Sequence, residues 1–299
     1  MYESNLKSNQ DQFWLNVGIM ILIAGLFVAG LYYYQEKQIT KVRNELKTLK
    51  AELATLTVSG NSSTLNTSIN NQKKVNQEKA ITSGPRNLPR IALTFDADMT
   101  TGMKNQNTRW YDPEIIELLE EKQIPATFFL TGVWAETYPE VTKRLTKNNL
   151  FQIENHSYQA KAFSQPCYGL TPLSTEQEKI EAVEKAQQAI KEATGETQSY
   201  FRFPGGCYQK QDLKPVNNAG LKAVQWDVVS GDAFSDSASS IVNKTVSNTQ
   251  NGSIVVLHLG GPNAPHTAQA LKQIIPQLKS KGFRFATLHT LLNPPSVSE

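Results

Sequence analysis

Carboxylates, imidazoles and a guanidinium recur in five short clusters along the chain. They are Thr94-Phe95-Asp96-Ala97-Asp98, Glu154-Asn155-His156-Ser157, Arg202-Phe203-Pro204-Gly205-Gly206, Trp226-Asp227 with Ser230-Gly231-Asp232, and Leu257-His258. These groups exchange protons and bind divalent metals, so the chemistry open to them is acid–base or metal chemistry. Singly, each has an ordinary structural explanation. An Asp pair after a strand commonly caps a loop, and a lone His is commonly a satisfied structural residue. Five clusters at the ends of successive strands are harder to explain that way, because parallel α/β folds place their sites at the C-terminal strand ends.

The elements that would position them alternate from Leu88 onward. Apolar runs predict strands at Ile91–Phe95, Ala126–Leu130, Leu150–Ile153, Tyr200–Phe203, Ala223–Val229, Ser253–His258 and Phe283–Thr287. Helices are expected after Asp112-Pro113 through Glu121, with Asp as N-cap and Pro at the first helical position, and at Pro139–Thr146. Two longer helices are expected at Leu173–Ala193, ended by Gly195, and Thr267–Lys281, ended by Gly282. Repeated βα units imply a parallel sheet, and about 210 residues suit one distorted (β/α) barrel.

In order, the clusters resemble the polysaccharide deacetylase family, the NodB homology domain of carbohydrate esterase family 4. LTFDADMT resembles its first motif, ENHSYQAKAF its second, FRFPGG its third, WDVVSGDAF its fourth and VVLHLGG its fifth. The closing stretch TAQALKQIIPQLKSKGFRFATLHTLL resembles the family's usual helix, strand and helix. The resemblance covers nearly all of residues 88–293 and implies metal-dependent removal of acetyl groups from N-acetylated sugars. It implies Asp96 as general base, Asp98 and His156 as ligands of a divalent metal, zinc by expectation, and His258 as general acid. Arg202 would orient Asp96 and be held in turn by Asp232. The Gly205 main-chain N–H would help hold the oxyanion, and Trp226 would wall the sugar groove.

The chain departs from the family at one ligand. The second motif normally carries two histidines four residues apart, and the second position here is Ala160. A catalytic zinc usually has three protein ligands. A substitute from His266 or Cys167, a metal held by two ligands and water, or a domain without catalysis all follow from that change. Val229 and Ala233 stand where the fourth motif often has Asp and Trp. Cys167 follows the second motif and Cys207 the third, so a disulfide is expected between rim loops if the domain lies outside the cytoplasm, against two free thiols otherwise.

The N-terminal third is of another kind. Residues 13–34, FWLNVGIMILIAGLFVAGLYYY, hold no charged residue and match a transmembrane helix with aromatic ends. A cleaved signal peptide is the competing reading, with Gly25, Ala29 and Gly30 as small residues near a cleavage site. Residues 35–56 place Ile39, Val42, Leu46, Leu49, Leu53 and Leu56 on a short heptad seam. That predicts either a stalk that pairs in a homodimer or a single amphipathic helix. Residues 57–87 read as a polar linker, 1–12 as a flank and 294–299 as a tail.

Of the 299 residues, 1–87 carry ten Lys+Arg against six Asp+Glu, so the net charge of +3 belongs to this third. The near-neutral remainder argues against nucleic acid as a partner. Lys37, Lys41, Arg43, Lys47 and Lys50 follow the span, and only Lys7 precedes it. The positive-inside rule would keep them cytoplasmic, whereas an envelope glycan requires the domain outside. The rule is strongest for short loops, so a single-pass cell-membrane protein with an external domain is expected. The function expected is deacetylation of cell-envelope glycan, peptidoglycan first. The alternatives are a non-catalytic glycan-binding protein and hydrolysis of a non-sugar amide.

Overall fold

The computed structural model describes residues 76–294 apart from position 236, together with Lys37 and Thr40. The chain divides into two units, Met1–Asn71 and Gln72–Glu299, and residues 76–294 belong to the second. The span at 13–34, the stalk at 35–56, the first part of the linker and residues 295–299 lie outside the described residues. Among the described residues no helix is long and apolar enough to cross a membrane.

Strand β1, Arg90–Ala97, is buried at every position after Arg90. A strand apolar on both faces is a central strand of a parallel sheet. It pairs in parallel with β2, Ala126–Leu130, and with β7, Ile254–His258. The sheet runs outward through β3, Phe151–Asn155, β4, Tyr200–Phe201, and β5, Lys222–Ala223; on the other side it ends in β6, Val228–Val229. A short strand β8, Arg284–Phe285, pairs with the start of β1.

The single strand expected at Ala223–Val229 is two strands on opposite edges. That splitting dictates curvature. Seven parallel strands laid flat would separate their edges by about 29 Å. The five residues from Ala223 to Val228 span at most about 18 Å. The sheet must therefore curl, and the connection Val224–Asp227 crosses the gap between its edges. The result is a distorted barrel of parallel strands with an incomplete seam.

The segment before β1 crosses that gap as well. Ile81 bridges Val224 and Ser83 bridges Ser253. Gln77 exchanges side-chain hydrogen bonds with the main chain of Ala223, and Arg86 pairs with Asp227 at 2.7 Å. The domain thus begins before the expected boundary at residue 88, and residues 76–87 belong to it. Their polar composition hid this, because their partners lie 128 or more residues away.

The helices outside the barrel are stopped by the expected signals. Asp112 caps Pro113–Glu121 by accepting from the Glu114 N–H. Thr175 and Glu178 form a capping box at Glu176–Thr194, which ends at Gly195 in the left-handed conformation. Short helices at Gly132–Thr137 and Leu213–Asn218 and a longer one at Ala238–Asn248 were not expected. The main core lies between the barrel and these helices, with Leu93, Phe95, Phe128, Trp134, Ile190 and Leu271 fully buried.

Candidate active site

β1 delivers the first two carboxylates. Asp96 is opposite Phe129 of β2 and His258 of β7 in register, so β1 and β7 bring an acid and an imidazole to the same level. Asp98 follows where the strand ends. Arg202 leaves β4 and fills the barrel interior with no exposed surface. Its Nη1 donates to Asp96 Oδ1 and to Thr94 Oγ1, each at 2.8 Å, and Nη2 donates to the Gln225 carbonyl at 3.3 Å. The guanidinium lies 4.0 Å from the Phe129 ring centroid and 5.4 Å from that of Trp226. A buried carboxylate needs such a partner, and a planar cation is well matched to aromatic neighbours.

His156 is held by its far nitrogen. Nδ1 lies 2.9 Å from the Arg202 carbonyl, which can only accept, so Nδ1 carries the proton. In the neutral ring Nε2 then presents its lone pair to the site, where it is buried without a hydrogen-bond partner. Asp98 Oδ1 is 3.2 Å away and Asp96 Oδ2 3.7 Å. Fixing one ring nitrogen on a carbonyl is how proteins orient an imidazole toward a metal. Burial opposes charge on the Asp98 carboxyl, but His156, then His258 and Arg202, outweigh it and hold the group below the ordinary carboxylate range.

His258 completes the group. Its Nε2 is 3.6 Å from Asp98 Oδ2, and its Nδ1 is 2.9 Å from Asp232 Oδ1. Burial opposes a charge here too, but Asp232, followed by Asp98 and Asp96, pushes the imidazole pKa up to about 10. Asp232 also accepts from the His258 N–H at 2.7 Å, from Thr267 Oγ1 at 2.8 Å and from Ser230 Oγ at 3.0 Å. Among the described residues the partners of Asp232 do not include Arg202. This corrects the expected role: Asp232 holds His258, and Arg202 is held by Asp96, Thr94 and the Gln225 carbonyl. Thr94 and Thr267 were not singled out in the sequence, where nothing marks a threonine as a partner of a distant charge.

Asp96, Asp98, Asp232 and His258 line one cavity of about 400 Å³, together with Gly205 and Trp226. Gly205 has φ +63°, and a Cβ there would stand 2.7 Å from Cys167 Sγ. Cys167 and Cys207 are joined in a disulfide. That removes Cys167 as a substitute metal ligand, since a bonded sulfur offers no thiolate. His266 precedes the helix Thr267–Ser280 and does not line the cavity. Ala160 does, and places a methyl group where a second ligating imidazole was missing in the sequence.

The donor set is thus Asp98 and His156. Among the described residues no group of three His, Cys, Asp or Glu side chains could hold a metal. His156 Nε2, oriented by the Arg202 carbonyl and 3.2 Å from the low-pKa Asp98 carboxylate, suits a divalent cation bound through two protein ligands and water, a weaker arrangement than three.

A curled parallel barrel thus carries a carboxylate–imidazole–arginine cluster at its C-terminal rim. The model of the polysaccharide deacetylase family matches residues 83–224. A peptidoglycan-N-acetylglucosamine deacetylase of Bacillus cereus is 31% identical over 210 residues, covering 70% of this chain and 70% of that one. A solved peptidoglycan N-acetylglucosamine deacetylase is 30% identical, with a TM-score of 0.61 over 71% of this chain and 92% of the other. A CE4 family pseudoenzyme from Bacillus anthracis shares the fold, at 22% identity and a TM-score of 0.61, over 73% of this chain and 70% of that one. The chain belongs to the polysaccharide deacetylase family.

Proposed function

We propose that this protein hydrolyses N-acetyl groups of a cell-envelope glycan, with peptidoglycan amino sugars as the first candidate. The observation that carries the reading is the convergence of Asp96, Asp98 and His258 on one cavity, with the buried His156 Nε2 3.2 Å from Asp98 Oδ1 and His258 held as a cation by Asp232. Deacetylation of an amide needs a base for water, a site for the developing oxyanion and a proton for the leaving amine. Asp96 takes the proton of the attacking water, and Arg202 fixes its carboxylate through the 2.8 Å hydrogen bond from Nη1. The Gly205 N–H is assigned to the oxyanion. His258 Nε2 then protonates the nitrogen as the C–N bond breaks, releasing acetate and the amino sugar. A divalent cation held by Asp98 and His156 would supply polarisation of the carbonyl and acidification of the water.

The location proposed is a membrane anchor at 13–34 with the domain outside the cytoplasm. The charge-free run, the family's peptidoglycan-directed relatives and a disulfide suited to an oxidising compartment support it. The stalk at 35–56 would then favour a homodimer, since tethering in a membrane raises effective concentration.

A second reading rests on Ala160. With two protein donors, the domain would bind glycan without cleaving it. Metal content and acetate release from N-acetylglucosamine oligomers separate the two readings. Bound zinc with acetate release that disappears in Asp96→Asn supports the enzyme. Glycan binding with neither metal nor acetate supports the second reading.

A further inference from the structure

Among the described residues, three large apolar side chains stand strongly exposed: Tyr168 at 73%, Phe234 at 72% and Val229 at 55%. Scattered exposed apolar residues are ordinary, but all three of these line the same cavity. Tyr168 and Phe234 also touch each other across two loops, with ring centroids 5.3 Å apart and planes tilted by 38°.

Both loops are built to hold these rings. Tyr168 has φ +46°, a conformation a bulky residue adopts only when its surroundings impose it. The adjacent Cys167 is bonded to Cys207 and accepts the Leu170 N–H on its carbonyl. The Gln165 side chain accepts from the Cys167 N–H and donates to the Leu170 carbonyl, closing the turn around Tyr168. Phe234 ends the turn that contains Asp232, and its N–H donates to the Gly231 carbonyl. Asp232 holds His258, so the position of the Phe234 ring is tied to that imidazole through two residues of one turn.

We propose that Tyr168 and Phe234 form an aromatic platform that holds a glycan residue neighbouring the reacting sugar, making the cavity selective for an oligomeric N-acetylhexosamine over the free monosaccharide. This rests on the reading of the cavity as a glycan site. The cavity presents charged groups at its floor and aromatic and aliphatic groups, Leu170 and Met103 among them, on its wall. A pyranose with equatorial hydroxyls matches both, with an apolar C–H face against the rings and a polar rim toward the charges.

The test is binding of the N-acetylglucosamine tetramer and monomer to the full-length chain, measured by calorimetry. It is run in two non-reacting forms, the Asp96→Asn variant and the unmodified protein with chelator. The tetramer is expected to bind at least about tenfold more tightly than the monomer. Tyr168→Ala and Phe234→Ala are each expected to weaken the tetramer roughly tenfold. Monomer affinity should change less than about twofold, and Tyr168→Phe and Phe234→Tyr should keep tetramer affinity. Unchanged tetramer binding in both alanine variants, no preference for the tetramer, or no glycan binding in either form would overturn the platform. Acetate release is scored separately on the unmodified protein. Platform-dependent binding without acetate contradicts the deacetylase reading and leaves the platform standing. Acetate release with platform-independent binding does the reverse.

Discussion

His258 Nδ1 lies 2.9 Å from Asp232 Oδ1, and the other oxygen of the same carboxylate accepts the His258 main-chain N–H at 2.7 Å. One aspartate therefore fixes both the position of the residue and the charge of its ring. In the metal-free protein an NMR titration is expected to place the His258 pKa at about 10. In Asp232→Asn it should fall by about two units or more, toward the ordinary histidine range. Because the folded pKa is raised above 6.5, the native state binds the extra proton between pH 6.5 and about 10. Stability from this pair is full below pH 6.5 and is lost as pH rises toward 10. The slope of unfolding free energy against pH in that window should flatten in Asp232→Asn.

Arg202 and Asp96 are both buried, so removing one partner strands the other. Arg202→Met is expected to cost about 3–5 kcal/mol in urea unfolding. Arg202→Met combined with Asp96→Leu should recover much of that loss, because no buried charge remains unpaired. A double variant no more stable than Arg202→Met would show that the guanidinium's contacts with Phe129 and Thr94 matter more than the charge.

The Cys167–Cys207 disulfide has a sequence separation of 40. Loop-closure entropy for that length gives an upper value of about 4 kcal/mol. Unfolding with reductant should show a loss of about 2–4 kcal/mol. Thiol titration of the native, unreduced protein should find no reactive cysteine.

Ala160→His should raise zinc affinity at least about tenfold in calorimetry, since it restores a third protein donor beside Asp98 and His156. Equal affinity in the two proteins would mean that position 160 does not face the metal.

The carboxylate–imidazole–arginine cluster was largely legible from sequence because its members sit at strand ends, where apolar runs stop. Burial of β1 on both faces, the Asp112 cap and the Gly195 stop were legible for the same local reasons. What was missed depends on distant pairing. The run from Ala223 to Val229 looks like one strand, and only the partners of its two ends, β4 and β7, place them on opposite edges. Residues 76–87 look like linker, and distant partners, Ala223, Val224, Asp227 and Ser253 among them, make them part of the barrel. The helix Ala238–Asn248 is rich in serine and is carried by its Ser237 cap and by Ile241, Val242 and Val246 against the core. The resemblance supplied Asp232 but not its partner, and Tyr168 lies outside every motif.

Whether this cluster removes acetyl groups from an envelope glycan is decided by acetate release. The substrates are purified peptidoglycan and N-acetylglucosamine oligomers, in the presence of zinc. Acetate is expected from the unmodified protein, at least about a hundredfold less from Asp96→Asn and from His258→Gln, and more from Ala160→His. No acetate from either the unmodified protein or Ala160→His, or release that persists in Asp96→Asn, would contradict the deacetylase reading.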